Sequence, residues 1–586
     1  MGEYCEKDFR SLQRCAEMNN IRIFKFLVIL YSLLLIASSF VYYYREDIYI
    51  RPESYFYLLT LAVGVTFAQI IFFGRNSRSE VKFLIFVEVL LVALSFTLTQ
   101  QALYKTVLGR DPWFHWILVE EIVKRGSIPP YEQIPIPYVR MPNFHLVIAS
   151  GIVLTNLSYK WAQVLFAGFP TLILLMLVAF LYSKKLFDDQ VGLVSILLVA
   201  ISDNVLDMVG KNIVPNTLGV ALAFLIFYLI YFREYHNLMI KFLSVLVAIA
   251  LAFMHTVSLT FLIWQIFVIS ILSLILKDKS AKFYLAHFAF LIVSALFVWG
   301  IYSGFYLKSL VIIFKQLFIY GFDIERYEAK LPTTFLDAVI ARSGMVLYFA
   351  IAGIITFYLL VKTLKRRAFG IKLSTLSSIL ATISILAGAV SFLTPALSGI
   401  AHRFWYYGEV LSSAFVGSVL ANLYERKKVI IVFNLIFICA LSMLMFKANV
   451  ANDDNPLVPY YSQRTGWHDS EIEAGKFVIS KQGNIPIASD WDYSWNLRYL
   501  KTSLMASGAL KDINRVTPKT FEEVKNCNCL FVFRKDLLEN RLFYLGGRWT
   551  QTPHLPLSTL NLVIKELSEN EGIIYNNNNI LIMHLV

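Results

Sequence analysis

The chain has 586 residues, 57% of them hydrophobic and 15% aromatic, with a net charge of +13. That is too apolar for an ordinary soluble domain. No RNA- or DNA-binding motif accompanies the positive charge, so the excess Lys and Arg is read as membrane topology and contact with anionic headgroups, not as nucleic-acid binding.

The five cysteines include no Cys-x-x-Cys pair, so the common zinc and redox motifs are absent. The N-terminus is polar for about 20 residues, and no small-residue cleavage site follows the first apolar block, which predicts an uncleaved first span. The apolar blocks lack the alternation of a membrane barrel, so they read as helices. Thirteen spans are predicted at 23–43, 54–73, 81–100, 160–182, 187–202, 215–232, 240–256, 258–276, 283–302, 345–363, 373–393, 406–423 and 428–446. The fold class is therefore mainly α: a polytopic membrane domain over 1–446, followed by an extracytoplasmic α/β domain over 447–586.

Six short basic segments set the orientation: Arg75–Lys82, Ser183–Lys185, Arg233–Lys241, Lys277–Lys282, Lys362–Lys372 and Tyr424–Lys428. All fall on one side if the N-terminus is cytoplasmic. The stretches 101–159, 303–344 and everything after about 446 then lie outside, in a multi-pass protein of the cell membrane.

Within 101–159, Asp111–Arg125 reads as an amphipathic helix with Phe114, Leu118 and Ile122 on one side. A Pro-rich section runs from Pro129 to Pro142. Phe144–Leu157 is apolar but short, and letting it cross would invert the downstream charge pattern, so it is predicted interfacial or re-entrant. Past Asp453–Pro456, a polar linker, helix is expected over Glu471–Ser480, from Trp495 and over Ser558–Ser568, with Ser558 as N-cap. Strand is expected at Ile485–Ser489 and Cys529–Phe533, and two strands flank the four-Asn turn within Ile573–Leu585.

Asp111 stands just before Pro112, a helix start with Pro at the first position. His115 follows one turn later, so both side chains can face one site. A carboxylate and an imidazole there either bind a metal or act as base and orienter. The bland alternative is a helix cap and an interfacial histidine. Asp203 and Asp207 either ligate a metal or solvate a helix end. Lys211 is a candidate phosphate ligand. His402-Arg403 opens the twelfth span beside aromatics, either as an interfacial anchor or with Arg403 gripping a lipid phosphate. Glu325 and Glu328 are candidates through their place in the long external loop, and His255 reads as structural.

The run Asp111-Pro-Trp-Phe-His115, then Glu120-Glu121-Ile-Val-Lys-Arg-Gly126, resembles the first external loop of the GT-C glycosyltransferases, above all of the oligosaccharyltransferase catalytic subunit. Met141-Pro-Asn-Phe-His145 resembles the entry to a second external helix. Trp491-Asp492-Tyr493, shortly after the last span, resembles the Trp-Trp-Asp-Tyr-Gly acceptor motif, with Asp490 and Ser494 where that motif has Trp and Gly. The family's second external loop has an Asp-x-Asp or Glu-x-Asp pair; here Asp203 and Asp207 are four apart.

The resemblance implies a sugar donor on a polyprenyl phosphate or diphosphate, and a glycan, lipid or protein acceptor. The anionic leaving group requires Arg, Lys or a divalent cation such as Mg²⁺ or Mn²⁺, with Asp111, Asp203 and Asp207 as its ligands. The acceptor requires a carboxylate base, and Asp111 is the first choice, with His115 and Glu325 beside it. Trp491, Asp492 and Tyr493, with Lys211, His402 and Arg403, would bind substrate. The expected activity is sugar transfer. The alternatives are transfer of a whole glycan to Asn of Asn-x-Ser/Thr, a lipid-linked sugar flippase and a non-catalytic scaffold.

Overall fold

The computed structural model describes residues 2–75, 77–134, 137–232, 238–275, 280–304, 311, 315, 335–365, 373–393, 401–422, 428–505, 512–518, 521–541, 543, 564–566, 572–577 and 579–585, with side chains from residue 21 onward except at 232, 335, 363–365, 373, 392–393, 428 and 521. Glu325, Glu328 and most of the helix expected over Ser558–Ser568 lie outside this set.

The chain begins with α1 (Gly2–Tyr43), α2 (Glu53–Phe73) and α3 (Ser79–Ala102). Then come α4 (Asp111–Arg125), α5 (Asn143–Thr155), α6 (Tyr159–Gln163), α7 (Phe169–Leu186), α8 (Asp189–Ile201) and α9 (Asp203–Gly210). A single π-helical turn joins α6 to α7. The bundle continues through α10 (Pro215–Phe232), α11 (Leu238–Ala252), α12 (Thr256–Ile275), α13 (Ala281–Leu296), α14 (Phe335–Ile340), α15 (Ser343–Lys365), α16 (Leu373–Leu393), α17 (Ala401–Asn422) and α18 (Lys428–Phe446). Helix lies at all thirteen predicted spans.

Among the described residues nine helices are long and apolar enough to cross a membrane, or ten if α8 and α9, bent by 59° at Ser202, count as one broken span. The nine present apolar stripes outward. Ile29, Leu33, Ile36 and Phe40 on α1 are all more than half exposed at helical spacing, as a lipid-facing surface should be. Helix α17 fails the apolar test for a physical reason. It carries Glu409, Ser412 and Ser413 and is buried almost all round, so protein, not lipid, surrounds its polar groups. Helix α5 has 13 residues, about 20 Å at 1.5 Å per residue. That is short of the roughly 30 Å hydrocarbon core.

The two ends of the bundle differ in charge chemistry. At one end Arg75, Lys82 and Lys184 pair with Asp188 and Asp189 at 3.1, 2.5 and 2.8 Å, all at least partly exposed. The other end carries α4, α5 and the C-terminal segment.

That segment holds α19 (Asp469–Lys481), β1 (Ile487–Ala488), α20 (Trp491–Leu504), α21 (Phe521–Lys525), β2 (Cys529–Arg534), α22 (Lys535–Asn540), β3 (Gly572–Asn576) and β4 (Ile580–Leu585). The sheet order is β1-β2-β4-β3, with β1 parallel to β2 and the other pairs antiparallel. The four-Asn turn joins β3 to β4 as expected. Helix α20 starts four residues earlier than predicted, because Asp490 caps it by accepting from the Tyr493 amide at 3.1 Å.

The polar linker at Asp453–Pro456 is in fact a buried clamp. Asp454 takes the Arg51 guanidinium at 2.7 Å, both side chains wholly buried. Asp453 takes Lys211 at 3.1 Å and the amides of Thr465 and Gly466. Beyond it, Trp467, Ala474, Val478, Tyr493 and Leu497 share one apolar core with Trp113, Ile117 and Leu118 of α4 and Phe144 and Ile148 of α5. The C-terminal segment is thus packed onto the bundle through apolar burial and two buried ion pairs.

Candidate functional site

Three segments meet at this end: the turn into α4, the turn after α9, and the first turn of α20. Gly109 explains the first meeting. Its φ is +82°, and an added Cβ would stand 2.1 Å from Asn212 Oδ1. Only glycine accepts both the left-handed backbone and that close approach. Asn212 donates its amide to Asp207 Oδ1 at 2.6 Å, and Tyr406 of α17 donates its hydroxyl to Asp207 Oδ2 at 3.2 Å. The His402 ring packs edge-on against Tyr406, 5.6 Å between centroids. Asp207 and His402 therefore both contact Tyr406, and Asn212 packs close against Gly109 of the Asp111 loop. Arg403 is half-buried in the same first turn of α17.

Asp111 itself is open to solvent, its side chain 56% exposed, 3.6 Å from the Arg110 guanidinium. Arg110 also reaches Asp492 on α20 at 3.8 Å. The two loop motifs read from the sequence thus share one arginine. Behind them Trp113 packs on Trp467 at 4.8 Å and Trp467 on Tyr493 at 4.4 Å.

Three expected site residues turn elsewhere. His115 does not join Asp111. It is buried against Tyr138 and Phe144 and shares a 2.9 Å hydrogen bond with His145. Burial pushes its pKa down to about 3, so the ring is neutral. The two positions share a helix face, so the difference is one of position along α4: Asp111 stands at the open N-terminal end, and one turn further Tyr138, Phe144 and His145 cover that face.

Tyr493 is wholly buried and donates its hydroxyl to the Glu471 carbonyl at 2.7 Å, so of the Trp491-Asp492-Tyr493 motif only the first two side chains reach solvent. Lys211 is committed to Asp453. Burial alone would raise the Asp453 carboxyl, but Lys211 and the two amide donors hold it below the ordinary range.

Deeper, at the break between α8 and α9, Glu409 of α17 accepts from Ser202 and from Asn204 Nδ2, the latter at 2.6 Å. Asn204 Nδ2 also bonds Asp203 Oδ1 at 3.0 Å, while Asp203 Oδ2 is buried without a partner. Glu409, Asn212 and Tyr406 were missed by sequence reading. A lone Glu in an otherwise buried span was the one signal that pointed to them.

The expected metal set is not assembled. Among the described residues no three His, Cys, Asp or Glu side chains gather closely enough to hold an ion. Both Asp207 oxygens are engaged by neutral donors, Asp203 is fully buried, and Asp111 is held by an arginine.

No family model and no curated protein matches this sequence. Solved structures do. The oligosaccharyltransferase of Archaeoglobus fulgidus, in complex with Zn and sulfate, superposes with a TM-score of 0.51 at 11% identity, over 77% of this chain and 68% of that one. Its apo form gives 0.49 at 13% identity, over 77% and 70%. ArnT from Cupriavidus metallidurans in the apo state gives 0.41 at 13%, over 86% and 98%. The first of these likenesses shows the fold, and the GT-C resemblance read from the loop motifs agrees with it.

Proposed function

We propose that this chain, a multi-pass membrane protein of GT-C fold, transfers a sugar from a polyprenyl-phosphate-linked donor to an acceptor at the extracytoplasmic end of the bundle. The observation that carries the reading is the Arg110 bridge. It holds an exposed carboxylate, Asp111, at the seam between the membrane helices and the C-terminal segment. An anionic carrier cannot bring its phosphate deep into hydrocarbon, so the chemistry belongs where headgroups lie.

Asp111 takes the proton of the acceptor hydroxyl or amide. The acceptor attacks the anomeric carbon, and the bond from that carbon to the phosphate oxygen breaks. The polyprenyl phosphate or diphosphate leaves with the electron pair. Inversion at the anomeric carbon is the outcome that the family resemblance implies. Asp111 has the exposure that a base needs, and Arg110 orients it. Arg403 and His402, in the first turn of α17, supply positive charge or a hydrogen bond toward the leaving phosphate. Trp491 and Asp492 line the acceptor side. His115 supports α4 from inside and touches no substrate. No step is routed through Mg²⁺ or Mn²⁺, because among the described residues Asp111, Asp203 and Asp207 do not gather into one ligand set.

The orientation rests on the Lys and Arg residues gathered at the opposite end, which the positive-inside rule makes cytoplasmic. The division at 446 into membrane and C-terminal parts keeps its meaning as topology, although the two share a core. A second reading, transfer of a glycan to Asn of Asn-x-Ser/Thr, is favoured by the likeness to the Archaeoglobus fulgidus enzyme and by Asp492 standing beside Asp111 across Arg110. A flippase would call for broken helices in two equivalent halves, and the described residues hold one bent pair.

The test is an assay in proteoliposomes with extracted lipid-linked sugars, offering free glycan, lipid and Asn-x-Ser/Thr peptide acceptors in parallel. Labelled sugar should move to one acceptor with the intact protein and to none with Asp111→Asn. Equal transfer by that variant would end the proposal.

A further inference from the structure

Helix α20 carries a second cluster just beyond Asp492. The indoles of Trp491 and Trp495 stack with centroids 5.2 Å apart. Positions 491, 495 and 498 share one helix face. The Arg498 guanidinium lies 3.7 Å from the Trp495 ring centre. Arg515, on a segment bridged to β1 at Ile487, lies 4.1 Å from the same ring and 5.4 Å from Trp491. Ring contacts of this kind hold a cation in place without neutralising it.

Among the described residues neither arginine has a carboxylate partner. Arg498 donates to the Tyr499 hydroxyl at 2.5 Å. Arg498 Nε, Arg515 Nη1 and Trp491 Nε1 are shielded from solvent and have no hydrogen-bond partner among the described residues. Burial, and after it the Arg498 charge, holds the Arg515 guanidinium below its ordinary value, while Asp512 offsets this through its charge alone. Among the described residues, two like charges and three unused N–H donors therefore gather around the two indoles, and no carboxylate forms an ion pair with either arginine. Unpaired buried donors are rare in folded proteins and call for an explanation.

We propose that the Trp491–Trp495–Arg498–Arg515 cluster binds an oxyanion, a carboxylate or phosphate carried on a sugar ring. Guanidinium forks match both groups. The indoles offer an apolar face to the ring that bears them. The position fits a substrate site: Asp492, in the same helix turn, meets Arg110 at 3.8 Å. The inference deepens the sugar-transfer reading and rests on it for the class of ligand, making the transferred sugar or its acceptor acidic.

The test is isothermal titration calorimetry on the full-length protein in nanodiscs without donor lipid, using sodium glucuronate, inorganic phosphate and glucose at matched ionic strength. Glucuronate or phosphate should bind saturably and glucose should not. Binding should weaken at least tenfold in Arg515→Gln and in Arg498→Gln, each checked for folding by size exclusion. Arg515→Lys, which keeps the charge and loses the fork, should fall between. Tighter glucuronate assigns the oxyanion to a uronic sugar, and phosphate alone assigns it to a phosphate ester. No binding of either anion, equal binding of glucose, or unchanged binding in both Gln variants would overturn the site. Because no turnover is needed, binding without transfer would sink the transferase reading alone, and transfer without binding would sink this site alone.

Discussion

Arg110 Nη1 lies 3.8 Å from Asp492 Oδ1, across the seam between the turn into α4 and the C-terminal segment. These residues are 382 positions apart in sequence (492 − 110), and the same guanidinium touches Asp111. The pair is partly exposed, so its own contribution to stability is small. Its consequence is positional: whatever moves the C-terminal segment moves the arginine beside Asp111.

Asp111→Asn keeps size and helix start but removes the base. Transfer should fall by about 10²- to 10⁴-fold, the usual worth of general base catalysis. The melting temperature should hardly change, because the side chain is exposed. Asp188→Asn is the control. Asp188 caps α8 through the Val191 amide at 2.9 Å, and Asn caps as well as Asp. Its pairing with Arg75 is exposed and weak. Loss of activity in both variants, or in neither, would remove Asp111 from the mechanism.

The Lys211–Asp453 pair is 6% and 0% exposed. Lys211→Met strands a buried carboxylate, at a cost of about 3–5 kcal/mol. Thermal unfolding should drop accordingly, and limited proteolysis should cut between the bundle and the C-terminal segment. Adding Asp453→Asn to Lys211→Met should recover part of the loss. A single variant as stable as the parent would show that the pair does not anchor the segment.

His115 bears on acid stability. Its pKa is about 3 in the folded chain, against about 6.5 unfolded. Between those values the unfolded chain binds the extra proton, so stability is complete above pH 6.5 and falls as the pH drops toward 3. The slope is about 1.4 kcal/mol per pH unit for one proton. His145, buried on the same hydrogen bond, is held low by burial first and then by His115. His115→Asn should therefore flatten the decline of melting temperature between pH 6.5 and 4.5 relative to the parent measured under the same conditions. An unchanged slope would mean that the histidine is not held neutral.

Orientation is testable with single cysteines in a cysteine-free background. Lys105 is 76% exposed at the α4 end, and Lys184 is 52% exposed at the other. An impermeant maleimide added outside intact cells should label Lys105→Cys at once and Lys184→Cys only after permeabilisation. The reverse pattern would put the Asp111 site in the cytoplasm and exclude an extracytoplasmic reaction.

Features that depend on local chemistry are legible in the order of residues alone. Apolar blocks with no charge must be helices in lipid, so the helix positions were legible. Pro112 and Gly126 fixed both ends of α4, with Gly126 in the left-handed conformation at φ 68°. Four asparagines between two apolar runs fixed the β3–β4 hairpin. The two motifs that meet in space are legible through their resemblance to GT-C loop motifs.

Which side chains face one another follows from long-range packing. Asp111 and His115 share a helix, yet one is in water and the other in a core. Arg110 had no distinguishing pattern, and its role comes from a helix hundreds of residues away. Asp453 and Asp454 read as a polar linker until Lys211 and Arg51 were seen to neutralise them. Glu409 had no visible partner until the bend at Ser202 brought Asn204 to it. In each case the deciding contact is long-range, and a side chain's burial depends on what packs against it, which no local spacing encodes.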